Sequence, residues 1–227
     1  MISGSTGGLG SAVIEAYLKA GSKLVVTYSG KNSLAKLSSE ITGHPNSYDI
    51  RADLGDEQQV TSLFNEIKER FKRLDVVCHL AGGFWMGENI AETPLDQWQR
   101  MIRMNLTTSF LVIKGALQIM QTQKSGSIIT VASKTALELP AGMGAYSVSK
   151  AALLALTELS AKEAKPYHVA VNAILPGIID TADNRDAMPD ADFNDWVTSE
   201  EISKVLIDLS ESDSVSGTHI KMYGSTI

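Results

Sequence analysis

Short apolar runs recur along this chain, and a helical stretch separates each from the next. Residues 75–81, 127–132 and 169–175 are apolar at both odd and even positions and rich in Val and Ile. That pattern marks strands buried on both faces. Residues 56–71 carry Val60, Leu63, Phe64 and Ile67 on one helical face. A long helix is expected from Thr93-Pro94 to about residue 121, with Thr93 as cap and Pro94 at the first position. A further helix over 145–164 ends before Pro166. Residues 23–28 and 49–54 read as strands, 31–42 and 200–209 as helices, and 219–223 as an edge strand. Strands alternating with helices call for parallel pairing through right-handed crossovers. The expected fold class is α/β: a doubly wound parallel sheet in three α/β/α layers.

The chain opens Met-Ile-Ser-Gly-Ser-Thr-Gly-Gly-Leu-Gly. Gly4, Gly8 and Gly10 precede a helical run over 11–20 and then a strand. Glycines in that context let backbone N–H groups and a helix N-terminus reach a dinucleotide pyrophosphate. A strand should come before such a turn, and only Met1, Ile2 and Ser3 are there to form it. The first, central strand is therefore expected to be truncated or missing, leaving its neighbours unpaired.

Ser133 ends the run at 127–132, and Tyr146 and Lys150 open the following helix. Four residues apart on a helix places phenol and ammonium on one face. A free phenol has a pKa of about 10. A neighbouring ammonium is expected to lower it toward useful acid–base work. A strand-tip hydroxyl at Ser133 can hold a substrate carbonyl. His79 reads as a structural residue at a strand end rather than a base. Residues 182–196 crowd five Asp with Arg185, Met188, Phe193 and Trp196. They read either as a solvated acidic loop or as a lid whose Met188, Phe193 and Trp196 close over substrate.

With 227 residues, one domain is expected. A net charge of -6 argues against nucleic acid and anionic membrane as partners. The single cysteine, Cys78, suits a reducing compartment, so a cytoplasmic location is expected. No apolar run has the length of a membrane span, no signal peptide opens the chain, and no metal site is expected.

Over nearly its whole length the sequence resembles the short-chain dehydrogenase/reductase family. The resemblance rests on the turn at Gly4, Asp53-Leu54, Ala81-Gly82, Asn105, Ser133, Tyr146-x-x-x-Lys150 and Pro176-Gly177-x-x-x-Thr181. It implies a Rossmann-type sheet, a homotetramer or homodimer built through two long helices, and interconversion of a small-molecule carbonyl and alcohol. By resemblance Tyr146 is the general acid, Lys150 lowers its pKa and binds the nicotinamide ribose, Ser133 orients the carbonyl, and Asn105 anchors a relay water. The implied cofactor contacts are Gly4, Ser5, Thr6, Gly8, Leu9, Gly10, Tyr28 and Ser29 near the chain start. Asp53 and Leu54 would touch adenine, and Ala81, Gly82 and Gly83 would line the crevice. Pro176, Gly177, the backbone of Ile179, and Thr181 would hold the carboxamide. Phe84, Trp85, Met143, Met188 and Trp196 are candidate substrate contacts.

The family's Asn-Asn-Ala-Gly reads His79-Leu80-Ala81-Gly82 here. Residues 180–196 and Gly82-Gly83-Phe84 are similar to the dihydropteridine reductase branch, which makes quinonoid dihydropteridine reduction the alternative. A nucleotide-binding protein without turnover is a third possibility, because of the shortened start. Tyr28-Ser29-Gly30-Lys31 offers no acid for a ribose 2′-hydroxyl, while Ser29 and Lys31 could accept a 2′-phosphate. NADP(H) is therefore favoured over NAD(H).

Overall fold

A computed structural model of the chain describes residues 1–30, 37 and 39–225. Strand β1 is Ile2–Ser3, helix α1 Gly8–Lys19 and β2 Leu24–Tyr28. Then come α2 (Ser39–Thr42), β3 (Ser47–Arg51), α3 (Glu57–Phe71) and β4 (Val76–His79). Helix α4 (Leu95–Met101) passes through a π-helical turn, Ile102–Thr107, into α5 (Thr108–Gln123). Next are β5 (Gly126–Val131), the short α6 (Thr135–Glu138), α7 (Gly144–Ala164) and β6 (Val169–Pro176). The chain ends with β7 (Ile179–Asp180), α8 (Ala182–Ala187), β8 (Val197–Thr198), α9 (Ser199–Ser210) and β9 (His219–Met222).

The main sheet has the order β3-β2-β1-β4-β5-β6-β9, and every pairing is parallel. The chain winds outward in both directions from β1, so the strand order reverses between β1 and β4. The carboxyl ends there form the crevice in which such sheets bind ligands. Burial follows the two faces. Met1, Val25, Val77 and Ile128 lie in one apolar layer with α3 and α5. Ile2, Val26, Cys78 and Ile129 lie in the other with α1 and α9. Adjacent strand residues thus serve opposite layers, which is why these strands read as unbroken apolar runs.

The structure bears on four of these expectations and corrects two of them. The first strand is short but not missing: Ile2 lies between Val26 and Cys78, and Ser3 between Thr27 and His79. Helix α1 begins within the glycines, at Gly8, three residues earlier than its apolar periodicity signals. The expected cap Thr93 instead donates its hydroxyl to Asn89 O, and Pro94 takes the cap position. The expected helix over 31–42 lies mostly outside the described residues; Ser39–Thr42 is helical.

Helices α3 and α5 meet where Gly115 leaves room for the Phe64 ring. A Cβ at 115 would stand 2.2 Å from Phe64 Cδ2. Gly115→Ala is therefore expected to destabilise the chain by about 1–3 kcal/mol through overpacking. A thermal unfolding midpoint lowered by several degrees checks this, and an unchanged midpoint contradicts it.

Candidate active site

Each candidate side chain is set by the element that carries it. Ser133 follows β5, where Ala132 N–H still donates to Ile174 O and Lys134 N–H to Pro176 O. Those bonds fix the strand exit. Two turns of chain later α7 presents Tyr146 and Lys150. Lys150 is buried, and its ammonium donates to Val131 O at 2.7 Å. It stands 5.9 Å from the centre of the Tyr146 ring. Ser133, beside the phenol, also accepts from the Thr135 N–H at 3.2 Å and from the Thr135 hydroxyl at 3.0 Å.

The electrostatics differ from the sequence expectation. Burial pushes the Tyr146 phenol above its ordinary pKa, and hydrogen bonding to Ser133 opposes that rise. The Lys150 ammonium is turned to Val131 O, so burial rather than its charge sets the direction of the shift. Burial instead lowers the Lys150 pKa to about 8. At neutral pH the phenol thus keeps its proton and the ammonium its charge.

The π-helical turn carries Asn105 into this crevice. Its Oδ1 accepts from Gly83 N at 2.9 Å. Its Nδ2 donates to Gly83 O and to Ser149 Oγ, each at 3.0 Å. Ser149 Oγ in turn donates to Tyr146 O at 2.6 Å. One carboxamide therefore ties the β4 exit loop to the first turn of α7. A π turn widens a helix by one residue and is a common device for aiming a functional side chain. With both amide hydrogens committed, Asn105 acts here as a clamp, and any relay water would have to meet it at other atoms. Sequence reasoning missed Ser149; its spacing of three from Tyr146 was the available signal.

The glycine turn closes the other wall. A Cβ on Gly4, which has φ +74°, would strike Ala81 N at 2.5 Å. On Gly8 it would stand 2.8 Å from Thr181 Cβ. On Gly82 it would stand 2.8 Å from Asn105 Oδ1 and 3.2 Å from Lys150 Nζ. The turn, the Ala81–Gly83 segment, Thr181 and Lys150 thus line one continuous crevice. The N-terminus of α1 opens onto it with no acid in its first turn. These residues fit a dinucleotide, since side chains that would fill the cradle are absent and helix N–H groups can meet a phosphate. Gly10 serves a different purpose: a Cβ there would strike Ser5 and Gly4 backbone within the turn itself.

Several expected contacts are engaged elsewhere. Ser5 is fully buried and donates its hydroxyl to Thr27 O at 2.7 Å, so its side chain does not face a ligand. Leu9 and Leu54 put their side chains in the two apolar layers, leaving only backbone for a cofactor. Asp53 is held by Arg103 at 3.0 Å and by Gly55 N–H at 2.9 Å. Ile179 O accepts from Asn184 Nδ2 at 2.8 Å, while Thr181 caps α8. Trp196 is only 6% exposed, its ring tilted against Phe193 at 4.8 Å between ring centres. In the segment at 182–196, Ala182–Ala187 is helical, and Arg185 pairs with Asp180 and lies over Phe193. Thr6 lies in the turn between β1 and α1, Pro176 ends β6 with Gly177 next to it, and Met188 is the C-cap of α8, while Lys31 lies outside the described residues.

Phe84 behaves oppositely to Trp196. It is 58% exposed and stands edge-on to Tyr146 at 5.0 Å between ring centres. Met143 and half-buried Trp85 lie nearby in sequence on the two loops that Gly87 N–H and Gly142 O join at 2.9 Å. Near the tip of β2, Arg51 donates to Ser29 O at 3.0 Å. That guanidinium was not singled out from the sequence; its place opposite Tyr28 in the sheet register reveals it.

The model for the family described as short chain dehydrogenase matches residues 1–192. The 3-oxoacyl-acyl-carrier-protein reductase FabG of Aquifex aeolicus is 31% identical over 186 residues, covering 80% of this chain and 73% of that protein. The structure of ElxO with NADP bound superposes with a TM-score of 0.90 at 24% identity, covering 97% of this chain and 95% of its own. NAD+-bound xylitol dehydrogenase superposes at 0.88 with 23% identity, covering 99% and 96%. The chain belongs to the short-chain dehydrogenase family and is an oxidoreductase. Among the described residues no helix is long and apolar enough to cross a membrane.

His79 is almost fully buried, 2.7 Å from Ser3 Oγ and 3.5 Å from Thr108 Oγ1. Burial, aided by the Lys150 charge, lowers its pKa to about 3. Unfolded, the same group titrates near about 6.5. As pH falls through that value the unfolded chain takes up a proton the folded chain refuses, so stability is lost progressively toward about pH 3. His79→Asn, which keeps a partner for Ser3, is expected to remove a loss on the order of a few kcal/mol from the acid limb. Denaturant midpoints of both forms from pH 7 to 4 check this, and parallel curves contradict it.

Proposed function

We propose that the chain is an NADP(H)-dependent oxidoreductase that interconverts a carbonyl and an alcohol on an apolar, ring-bearing substrate. The observation that carries this is the meeting of Ser133, Tyr146 and Lys150 in the crevice that the glycine turn opens. A bound nicotinamide supplies or accepts the hydride at the carbonyl carbon. Tyr146, kept protonated by burial, gives its proton to the carbonyl oxygen as negative charge develops there. Ser133 donates a hydrogen bond to the same oxygen and holds it in reach. The Lys150 ammonium, fixed by Val131 O, favours the phenolate that forms. Asn105 and Ser149 keep the Gly83 segment and Tyr146 at fixed separation, so the phenol does not wander from the reacting oxygen.

Preference for NADP(H) over NAD(H) is supported by the lack of an acid after Tyr28 and by the Arg51 guanidinium over Ser29. A 2′-phosphate there meets a cation instead of a carboxylate. Substrate character follows from Phe84, whose exposed ring beside Tyr146 offers an apolar face. The same ring favours a flat pterin as the second reading, quinonoid dihydropteridine reduction. Assembly into a homo-oligomer is supported by Leu95 and Phe110 on α4 and α5 and by Val148 and Leu159 on α7, which are all exposed.

Tyr146→Phe is expected to lower kcat for NADPH-driven ketone reduction by about 10²–10⁴-fold with cofactor affinity unchanged. An active Phe variant would remove Tyr146 from the chemistry. Ser133→Ala separates the readings: it is expected to impair carbonyl reduction strongly, whereas indifference with rapid quinonoid pterin turnover favours the second. The pH profile tests Lys150. Its cation is present below about pH 8 and lost above it, so kcat/KM for reduction is expected to fall on that alkaline side. A profile level through pH 9 excludes the role.

A further inference from the structure

The connections that leave the carboxyl ends of β4, β5 and β6 stand over the crevice. They also carry much of the exposed apolar surface: Phe84, Met86 and Ile90 after β4, Leu137 and Leu139 after β5, and Ile178 after β6. Exposed apolar side chains scattered singly need no explanation, but a set gathered at the mouth of a site marks a binding surface.

The connection after β4 is pinned across that mouth. Gly87 N–H donates to the carbonyl of Gly142, which has φ +76°. Ile90 rests on Gly144, where a Cβ would overlap Ile90 Cδ1. Both seats lie just ahead of Tyr146 in the chain, and Phe84 in the same connection stands edge-on to that phenol. Apolar surface therefore begins at the phenol with Phe84 and runs on along the connection to Ile90.

Charge at the mouth points the same way. Residues 84–95 expose Glu88 and Glu92 and include no Lys or Arg. The cations on the other two connections are Lys134 and Arg185. Each is ion-paired, Lys134 with Glu138 at 3.2 Å and Arg185 with Asp180 at 2.6 Å. A carboxylate or phosphate entering here meets acids and finds no free cation.

We propose that this rim sets substrate specificity: it holds an extended, uncharged aliphatic chain attached to the reacting carbonyl carbon, with Ile90 as a specificity-determining residue. The inference rests on the functional reading above and narrows its apolar substrate to one with a chain beyond the carbonyl.

The test assays the full chain with NADPH against 2-butanone, 2-decanone and 9-oxodecanoate, the last adding a terminal carboxylate to a chain of the same length. A rim buries a methylene about half as well as a core does, so kcat/KM is expected to rise about twofold per added methylene, or about 50-fold from 2-butanone to 2-decanone. Turnover of 9-oxodecanoate is expected to fall about tenfold below that of 2-decanone. Ile90→Ser and, separately, Leu139→Ser are each expected to shrink the ratio of 2-decanone to 2-butanone about fivefold, with NADPH affinity retained as the sign of an intact fold. Equal kcat/KM for the two ketones, equal turnover of 9-oxodecanoate and 2-decanone, or an undiminished ratio in both variants overturns the rim. Failure to oxidise NADPH with any of the three compounds overturns the functional reading itself, and the rim with it.

Discussion

Everything in this structure hangs on the pairing of Ile2 and Ser3 between β2 and β4. The sheet reverses its winding there, and those residues pair with both neighbouring strands in register. The register decides how the carboxyl ends of β1, β4, β5 and β6 line up, and the crevice is made of those ends. Gly4 sits against Ala81 because β1 and β4 exit side by side; any Cβ at Gly4 would force them apart. Ser3 adds a side-chain bond to His79 in the same place. A neutral imidazole here replaces what would otherwise be an unsatisfied hydroxyl at the centre of the sheet.

Buried polar groups then set the geometry of the site. An unmade hydrogen bond in such an interior costs about 1–3 kcal/mol, so each of these groups strongly prefers its one arrangement. Asn105 joins Gly83, Ser149 and, through Ser149, the Tyr146 backbone. Lys150 is committed to Val131 O at the end of β5. The phenol, the ammonium and the strand-tip hydroxyl are thus located by backbone contacts on three different elements. Rigid placement of this kind suits the proposed reaction, in which the chain's own residues would contribute position and a proton.

Much of this was legible in the residue order. Val60, Leu63, Phe64 and Ile67 mark one face of α3, and all four are buried. The apolar runs of β4, β5 and β6 were recognisable because burial on two faces leaves no polar positions. Tyr146 and Lys150 were legible as a pair because helical spacing alone puts them together. The start of α1 was not legible, since glycines carry no periodicity. The π turn around Asn105 was not either: a widened turn depends on what packs against it, and the Gly83 loop lies 22 residues away in sequence. The burial of Trp196 was not legible, because an aromatic near a site looks the same in sequence whether it is exposed or packed against Phe193.

The sequence by itself determined the alternation of elements, the parallel winding, and the spacing of Tyr146, Lys150 and the glycines. Those depend on local periodicity and on the absence of side chains, both written residue by residue. Only the tertiary structure decided the direction of the Tyr146 pKa, the role of Asn105, the burial of Ser5 and Trp196, and the nearness of Arg51 to Ser29. These depend on desolvation and on contacts between distant segments, which no stretch of sequence carries alone.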